Sequence, residues 1–318
     1  MQSMNPNASP QRFDLHCHST ASDGVLSPQE ILERADAQGV ALLAITDHDT
    51  VAGVRALLDA DFAVGTALLP GIELTCTDGQ RVLHLVGLGI DVDDGTLGQH
   101  LDTLIATRME RADSILDQLR KRRLPLEWSQ VEAAAGGAPP GRVHFARVLV
   151  ECGAADSVSQ AFKRYLADGK LRLGNTPWPS LDSAVAAIIG AGGVAVLAHP
   201  RHYNLTRTRA LALLRRFVSA GGEAIEVISG ANSPLNDIQR WSRTADELGL
   251  LVSAGSDFHA PSSWCELGKF PSLPGCNAPV WEHPKLHRWV DAEVGRLVCG
   301  AAFAEMGRSH AADERNNA

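Results

Sequence analysis

Short apolar runs alternate with longer amphipathic stretches through most of this chain, and five of the runs lead to residues able to ligate a metal. Phe13-Asp14-Leu15 leads to His16-Cys17-His18, and Ala41 to Ile45 leads to Asp47-His48-Asp49. Leu68 to Ile72 leads to Glu73, Val194 to Ala198 to His199, and Leu250 to Val252 to Asp257-Phe258-His259. Runs of this kind bounded by polar and turn-forming residues predict buried strands, and the stretches between them carry helical periodicity. Ser27-Pro28-Gln29-Glu30 is a helix start, with Ser as N-cap, Pro in the first turn and Glu at the third position to complete a capping box. That helix runs through Ile31, Leu32 and Ala35 and stops near Gly39. Thr50 begins another, and Val82 to Gly87 is a further strand. The alternation resumes later with helices Leu181 to Gly190, Leu211 to Val218 and Leu235 to Leu248. Strands Gly193 to Ala198, Ala224 to Ser229 and Leu250 to Ala254 lie between and after them. Such βα alternation predicts a parallel sheet.

The rhythm is interrupted over 96–179. Leu97 to Leu124 forms one long helical region with Leu101, Leu104, Ile105, Ile115, Leu116 and Leu119 as its apolar stripe. Gly136-Gly137-Ala138-Pro139-Pro140-Gly141 breaks the pattern, and two more helices follow. The expected organisation is a discontinuous barrel over 12–95 and 180–285, with 96–179 as a helical insertion capping the substrate site. A C-terminal helix is expected over 286–305, and flexible tails over 1–11 and 306–318.

Composition narrows the function classes. The 318 residues are 45% hydrophobic, enough for a barrel-sized core, and no apolar run reaches the length of a membrane span. A net charge of −8 and 5% aromatic residues argue against a basic nucleic-acid binder with long stacking surfaces. An anionic substrate would need local positive charge, which bound metal ions supply. The polar N-terminus has no apolar signal core, and six scattered cysteines form no C-x-x-C pair, so reduced thiols in the cytoplasm are expected.

His16 and His18 would point to one side of an extended strand and could reach the same ion, while Cys17 would face away. With the other strand-end residues they give nine candidate ligands: His16, His18, Asp23, His48, Glu73, His84, His199, Asp257 and His259. This nitrogen-rich set suits Mn²⁺, Zn²⁺ or Fe²⁺ better than Mg²⁺ or Ca²⁺. It also exceeds the shell of one ion, so two or three ions sharing carboxylates are expected. Such a centre keeps net positive charge and suits a phosphate ester. Asp14, Asp47 and Asp49 are expected to orient imidazoles rather than to ligate. In the insertion, Arg142, His144 and Arg147 at a helix start, with Lys163 and Arg164 beyond, are candidates to grip a second phosphate.

These segments resemble, in order and spacing, the motif series of the PHP (polymerase and histidinol phosphatase) superfamily. The residues that carry the likeness are His16-x-His18-Ser19, Ser22-Asp23-Gly24, Thr46-Asp47-His48-Asp49, Gly71-Ile72-Glu73, His84, Ala198-His199-Pro200 and Gly255-Ser256-Asp257-Phe258-His259. The resemblance covers residues 12–285 and implies an α/β fold, a distorted (β/α)₇ barrel with a trinuclear centre at the strand C-termini. It implies the nine residues as ligands, with Glu73 and Asp257 able to bridge, and three Mn²⁺ as cofactors, with Zn²⁺ or Fe²⁺ as alternatives.

Within the superfamily the chain is similar to the bacterial 3′,5′-nucleoside bisphosphate phosphatases, including RNase AM. The shared segments are Arg142 to Arg147, Phe162 to Leu166, and Ser256 to Pro261 followed by Trp264-x-Glu266-Leu267-Gly268. The implied reaction removes the 3′-phosphate of compounds such as pAp, with Asp257 and Glu73 at the reacting centre. His202 or a bound water would protonate the leaving oxygen. Such relatives carry Arg directly before the Tyr that follows His-Pro; here His202 precedes Tyr203, and Arg201 lies one place earlier as a displaced phosphate contact. The alternative activity is 5′→3′ exoribonuclease action on 5′-monophosphorylated RNA. Histidinol phosphatase fits less well because it does not call for a basic insertion. A non-catalytic metal-binding module is a different class, and the complete ligand set argues against it. The expected partner is a nucleotide or an RNA 5′-end, with no membrane and no obligate protein partner.

Overall fold

Seven strands pair side by side in chain order and curl until the first meets the last. The computed structural model describes residues 12–298 except 61, 63, 168, 174, 175, 276, 291–293, 296 and 297. The elements are β1 (Phe13–Asp14), α1 (Pro28–Ala37), β2 (Leu42–Ile45), α2 (Ala52–Leu58), β3 (Ala67–Asp78), β4 (Arg81–Leu88) and α3 (Gly95–Lys121). They continue with α4 (Trp128–Ala135), α5 (Arg142–Glu151), α6 (Val158–Ala161), α7 (Leu181–Gly190), β5 (Val194–Leu197), α8 (Arg207–Ser219), β6 (Ala224–Ser229), α9 (Leu235–Leu248) and β7 (Leu251–Gly255). The Ser27 capping box forms as the sequence predicts, with reciprocal bonds between Ser27 and Glu30.

Past the ends of β1 and β7 the backbones join. Leu15 N donates to Ala254 O at 3.3 Å, Asp257 N to His16 O at 2.9 Å and His18 N to Phe258 O at 2.8 Å. Gly255 is required at this seam, because a Cβ there would lie 2.4 Å from the His16 Cβ. The ring is nearly closed, and its mouth gathers candidate ligands on or just beyond every strand but β6.

One expectation fails. The sheet is not all parallel, because β4 runs antiparallel to both β3 and β5. Asp78 pairs with Arg81, leaving Gly79-Gln80 as a two-residue hairpin turn with Gly79 at φ 63°. No helix fits in so short a connection, so the chain reverses instead of crossing over. Glu73 consequently lies inside the 12-residue β3 rather than at a strand end.

The barrel core is continuous from Phe13, packed against Phe270 and Trp281, round to Val252 and Ala254. A second apolar cluster involves only residues between Ala112 and Leu173. Helix α3 belongs to both: Leu97, Leu101 and Leu104 join the barrel core, whereas Ile115, Leu116 and Leu119 pack with Val131, Phe145, Val148 and Leu149. Ile105, expected in that stripe, is instead exposed. The expected C-terminal helix over 286–305 lies largely outside the described residues, as do 1–11 and 306–318. Among the described residues no helix is long and apolar enough to cross a membrane.

Candidate metal centre

Glu73 is the hub of the barrel mouth. Its Oε1 lies 2.9 Å from His199 Nε2 and 3.0 Å from His84 Nδ1. Its Oε2 lies 3.0 Å from His48 Nδ1 and 3.3 Å from the Nε2 atoms of both His16 and His18. Asp257 Oδ1 approaches His18 Nε2 at 3.4 Å, His259 Nδ1 at 3.6 Å and His16 Nε2 at 3.7 Å. Asp23 Oδ1 lies 3.3 Å from His259 Nε2 and 4.0 Å from His18 Nδ1. All nine sequence-predicted ligands therefore converge. His16 and His18 reach the same carboxylates, as the His-x-His spacing requires, while the Cys17 thiol turns away and donates to Ala44 O.

Three subsets bring one donor atom each within 4.8 Å of one another: His18, Asp23, His48 and His259; His16, His18 and Asp257; and His48, Glu73 and His84. His18 and His48 each fall in two subsets, and a neutral imidazole serves one ion at a time, so the subsets are overlapping choices of shell. His199 joins through Glu73 and His84, the latter at 3.3 Å.

The donor set fits cations on its own physics. His16 Nε2, both His18 ring nitrogens, Asp23 Oδ1, His48 Nδ1, Glu73 Oε2 and His199 Nδ1 are buried without a hydrogen-bond partner. Leaving so many polar atoms unsatisfied is costly unless a ligand completes them. Protons stand in for positive charge here. Burial would raise the Asp257 and Glu73 carboxyls, but the surrounding imidazoles overcome it and hold both well below the usual range. Burial opposes charge on His259, yet Asp23 dominates and lifts it to about 10, while burial with His259 and His48 pushes His18 down to about 3. Metal binding would replace these protons.

The backbone around these residues is held by buried acids. Asp47, pushed up by burial, accepts from Ser19 N and Oγ, both at 2.7 Å, and from Ser22 Oγ at 2.6 Å. Asp14 accepts from Ser256 N and Gly268 N, both at 2.9 Å, and Asp49 from Thr75 N at 2.6 Å and Arg108 Nε at 2.5 Å. These three were expected to orient imidazoles; their partners are instead amides, hydroxyls and a guanidinium.

The imidazole-orienting acid is Glu226 on β6, which the sequence reading missed. Glu226 Oε1 accepts from His16 Nδ1 at 2.9 Å, leaving His16 Nε2 for the centre, and Oε2 accepts from His199 N at 2.6 Å. A lone acid inside the apolar strand Ala-Ile-Glu-Val-Ile was the available clue. Glu226→Gln turns an NH₂ group toward one of these two donors. Apparent metal affinity should fall about 10–100-fold, read by titrating Mn²⁺ into metal-stripped protein. Unchanged affinity would make Glu226 a mere core polar group.

A cavity of about 690 Å³ opens from the centre, lined by Asp23, His48 and His84 together with Arg81, Arg108, Arg111 and Arg142. His202 lines it too, stacked on His199 with ring centroids 5.2 Å apart. Arg108 and Arg111 lie over the Trp178 ring at 5.6 and 6.0 Å. Both are on α3, where sequence reasoning saw only a packing helix.

Of the six residues expected to bind substrate, Arg142 lines this cavity and the other five do not. His144 is buried and its Nδ1 accepts from Gly141 N at 2.9 Å. Arg147 donates to Asp23 O at 2.6 Å and Gly24 O at 3.1 Å. Lys163 and Arg164 are exposed on a π-helical turn, Arg164 against Tyr165. Arg201 donates to Asn232 O at 3.2 Å and faces Asp237 at 3.8 Å, so its displaced position takes it away from the cavity.

Comparison with known proteins agrees with this geometry. The PHP domain pattern matches residues 14–117. The chain is 41% identical over 272 residues to a 5′-3′ exoribonuclease of Haemophilus influenzae, covering 86% of this chain and 98% of that protein. It is 39% identical over 278 residues to a 3′,5′-nucleoside bisphosphate phosphatase of Chromobacterium violaceum, covering 85% and 95%. A solved structure from Bifidobacterium adolescentis, described as a metal-dependent phosphoesterase, superposes with a TM-score of 0.72 at 29% identity, covering 89% of this chain and 96% of that one. The chain belongs to the PHP-domain family of metal-dependent phosphoesterases.

Proposed function

We propose that this protein removes the 3′-phosphate from 3′,5′-bisphosphonucleosides such as pAp, using three divalent ions, Mn²⁺ first with Zn²⁺ or Fe²⁺ as alternatives. The observation that carries this reading is one cavity lined both by the candidate ligands Asp23, His48 and His84 and by the guanidinium groups of Arg111 and Arg142, with Arg108 beside them paired with Asp49. A substrate with two phosphates on one ribose matches that arrangement. When bound, the ions would supply an activated water and neutralise charge on the reacting phosphate.

The nine residues His16, His18, Asp23, His48, Glu73, His84, His199, Asp257 and His259 would hold them, with Glu73 and Asp257 central because each faces several imidazoles. Glu226 fixes the His16 ring, and the cavity leaves His202 open to a leaving 3′-oxygen, where it or a water can deliver the proton. Trp178, beneath the two α3 arginines, offers an aromatic face beside the 5′-phosphate. The described cysteines Cys17, Cys76, Cys152 and Cys265 are unpaired, in keeping with a cytoplasmic setting.

A specific observation supports the exoribonuclease reading as a second activity of the same site. A second cavity of about 510 Å³ shares Gln80, Val82, Arg111, Arg142 and Trp178 with the first, giving room beyond a mononucleotide. Phosphate release from pAp, set against nucleotide release from a short 5′-monophosphorylated RNA under the same Mn²⁺ conditions, decides the order of preference. Turnover of neither would sink the proposal.

Arg142→Ala should reduce kcat/KM for pAp by about 1.5–3 kcal/mol, the range for losing a hydrogen bond to a charged group. It should leave an aryl phosphate nearly untouched, since that substrate lacks the second anion. Equal losses on both would remove Arg142 from 5′-phosphate recognition.

A further inference from the structure

Residues 20–24 form a loop without helix or strand, yet this loop carries Asp23, one of the donors facing His18, His48 and His259. Three supports surround it. From the end of β2, Asp47 binds the Ser19 amide and the Ser19 and Ser22 hydroxyls. On the seam side, Val25 N donates to His259 O at 2.9 Å. The third support comes from the insertion. Arg147 on α5 gives one guanidinium nitrogen to the carbonyls of both Asp23 and Gly24, at 2.6 and 3.1 Å.

We infer that Arg147 is a positioning residue for the metal centre: it fixes the Asp23 backbone so that the carboxylate aims at the ion shared with His18, His48 and His259. The inference rests on Asp23 being a ligand, as proposed above. Its physical basis is that a carboxylate has two side-chain torsions, so its aim is only as good as the backbone beneath it. Here that backbone is pinned by a charge-assisted bond from a residue 124 positions away. The Asp23 Oδ1 atom itself is buried without a hydrogen-bond partner, and its near neighbours are the ring nitrogens of His259 at 3.3 Å and His18 at 4.0 Å, themselves candidate ligands of the same ion. Helix α5 then serves the site at two points. Arg142 in its first turn lines the cavity, and Arg147, about 7.5 Å further along the axis, secures a ligand loop. The insertion completes the centre it covers.

The test is a Mn²⁺ titration of the metal-stripped full-length protein, by calorimetry or by electron paramagnetic resonance of free Mn²⁺, on wild type, Arg147→Ala, Arg147→Lys and Asp23→Asn. One class of sites should weaken about 10–100-fold in Arg147→Ala, as for other partners lying behind metal ligands, while the remaining sites keep their affinity. Arg147→Lys should recover part of the loss, because an ammonium can reach a carbonyl. Combining Arg147→Ala with Asp23→Asn should weaken that class no further than Asp23→Asn alone, since both act on one ligand. Excess Mn²⁺ should restore kcat in Arg147→Ala with KM little changed.

Two results would overturn the inference: unaltered Mn²⁺ binding in Arg147→Ala, or a parallel weakening of every site together with a lower Tm, which would mean Arg147 only docks the insertion. Unaltered binding in Asp23→Asn would instead overturn the ligand assignment beneath it. None of these readings depends on which phosphate ester is hydrolysed.

Discussion

Glu73→Gln should cut kcat by about 10³-fold or more and lower the number of ions retained, the scale seen when transition-state charge stabilisation is removed. Five imidazoles converge on the Glu73 carboxylate from four directions along the chain, at 2.9–3.3 Å. Glutamine preserves the shape, so the barrel should fold, but it removes one negative charge and turns an NH₂ group toward ring nitrogens that need to approach a cation. Elemental analysis after gentle purification, alongside kcat at saturating pAp, reads both effects. A loss below tenfold with full metal content would reduce Glu73 to a structural acid.

The second large effect is expected for Asp257→Asn, again about 10³-fold in kcat. This substitution isolates charge unusually well. Asp257 sits at φ 51°, in the left-handed region that asparagine tolerates about as readily as aspartate. The backbone can therefore stay where it is, with Asp257 N still bonded to His16 O and Asp257 O still receiving His259 Nδ1. What is lost is the anion facing His16, His18 and His259. If kcat falls less than tenfold while Tm drops, the residue is there for the turn rather than for the chemistry.

The cluster of candidate ligands was legible because its information is local. An apolar run ending on His or Asp states both the strand and the direction of the mouth, and the His-x-His spacing states a shared face. Where partners are distant in the chain, the sequence is silent. Arg147 lies on a basic helix start that looks suited to phosphate, and only the folded chain brings it to Asp23 O. Arg108 and Arg111 read as the wet side of a packing helix until Trp178 and the cavity are placed beneath them. The β4 reversal was within reach, since Asp78-Gly79 is a hairpin dipeptide, but the surrounding βα rhythm suggested a crossover. Glu226 was visible as one charge in an apolar strand, and a strand contributing no rim residue drew no attention.

Asp49, His199 and Asp257 all occupy left-handed backbone at φ 54°, 30° and 51°. Each such residue costs on the order of 1–3 kcal/mol, and glycine would relieve most of it. Selection for thermal stability alone would therefore push His199 and Asp257 toward glycine, and selection for turnover would push back, whereas the buried Asp49 carboxylate holds Thr75 N and Arg108 and repays its own strain. A descendant freed from catalysis could then gain stability by giving up those two side chains at its mouth, becoming sturdier as it became inert.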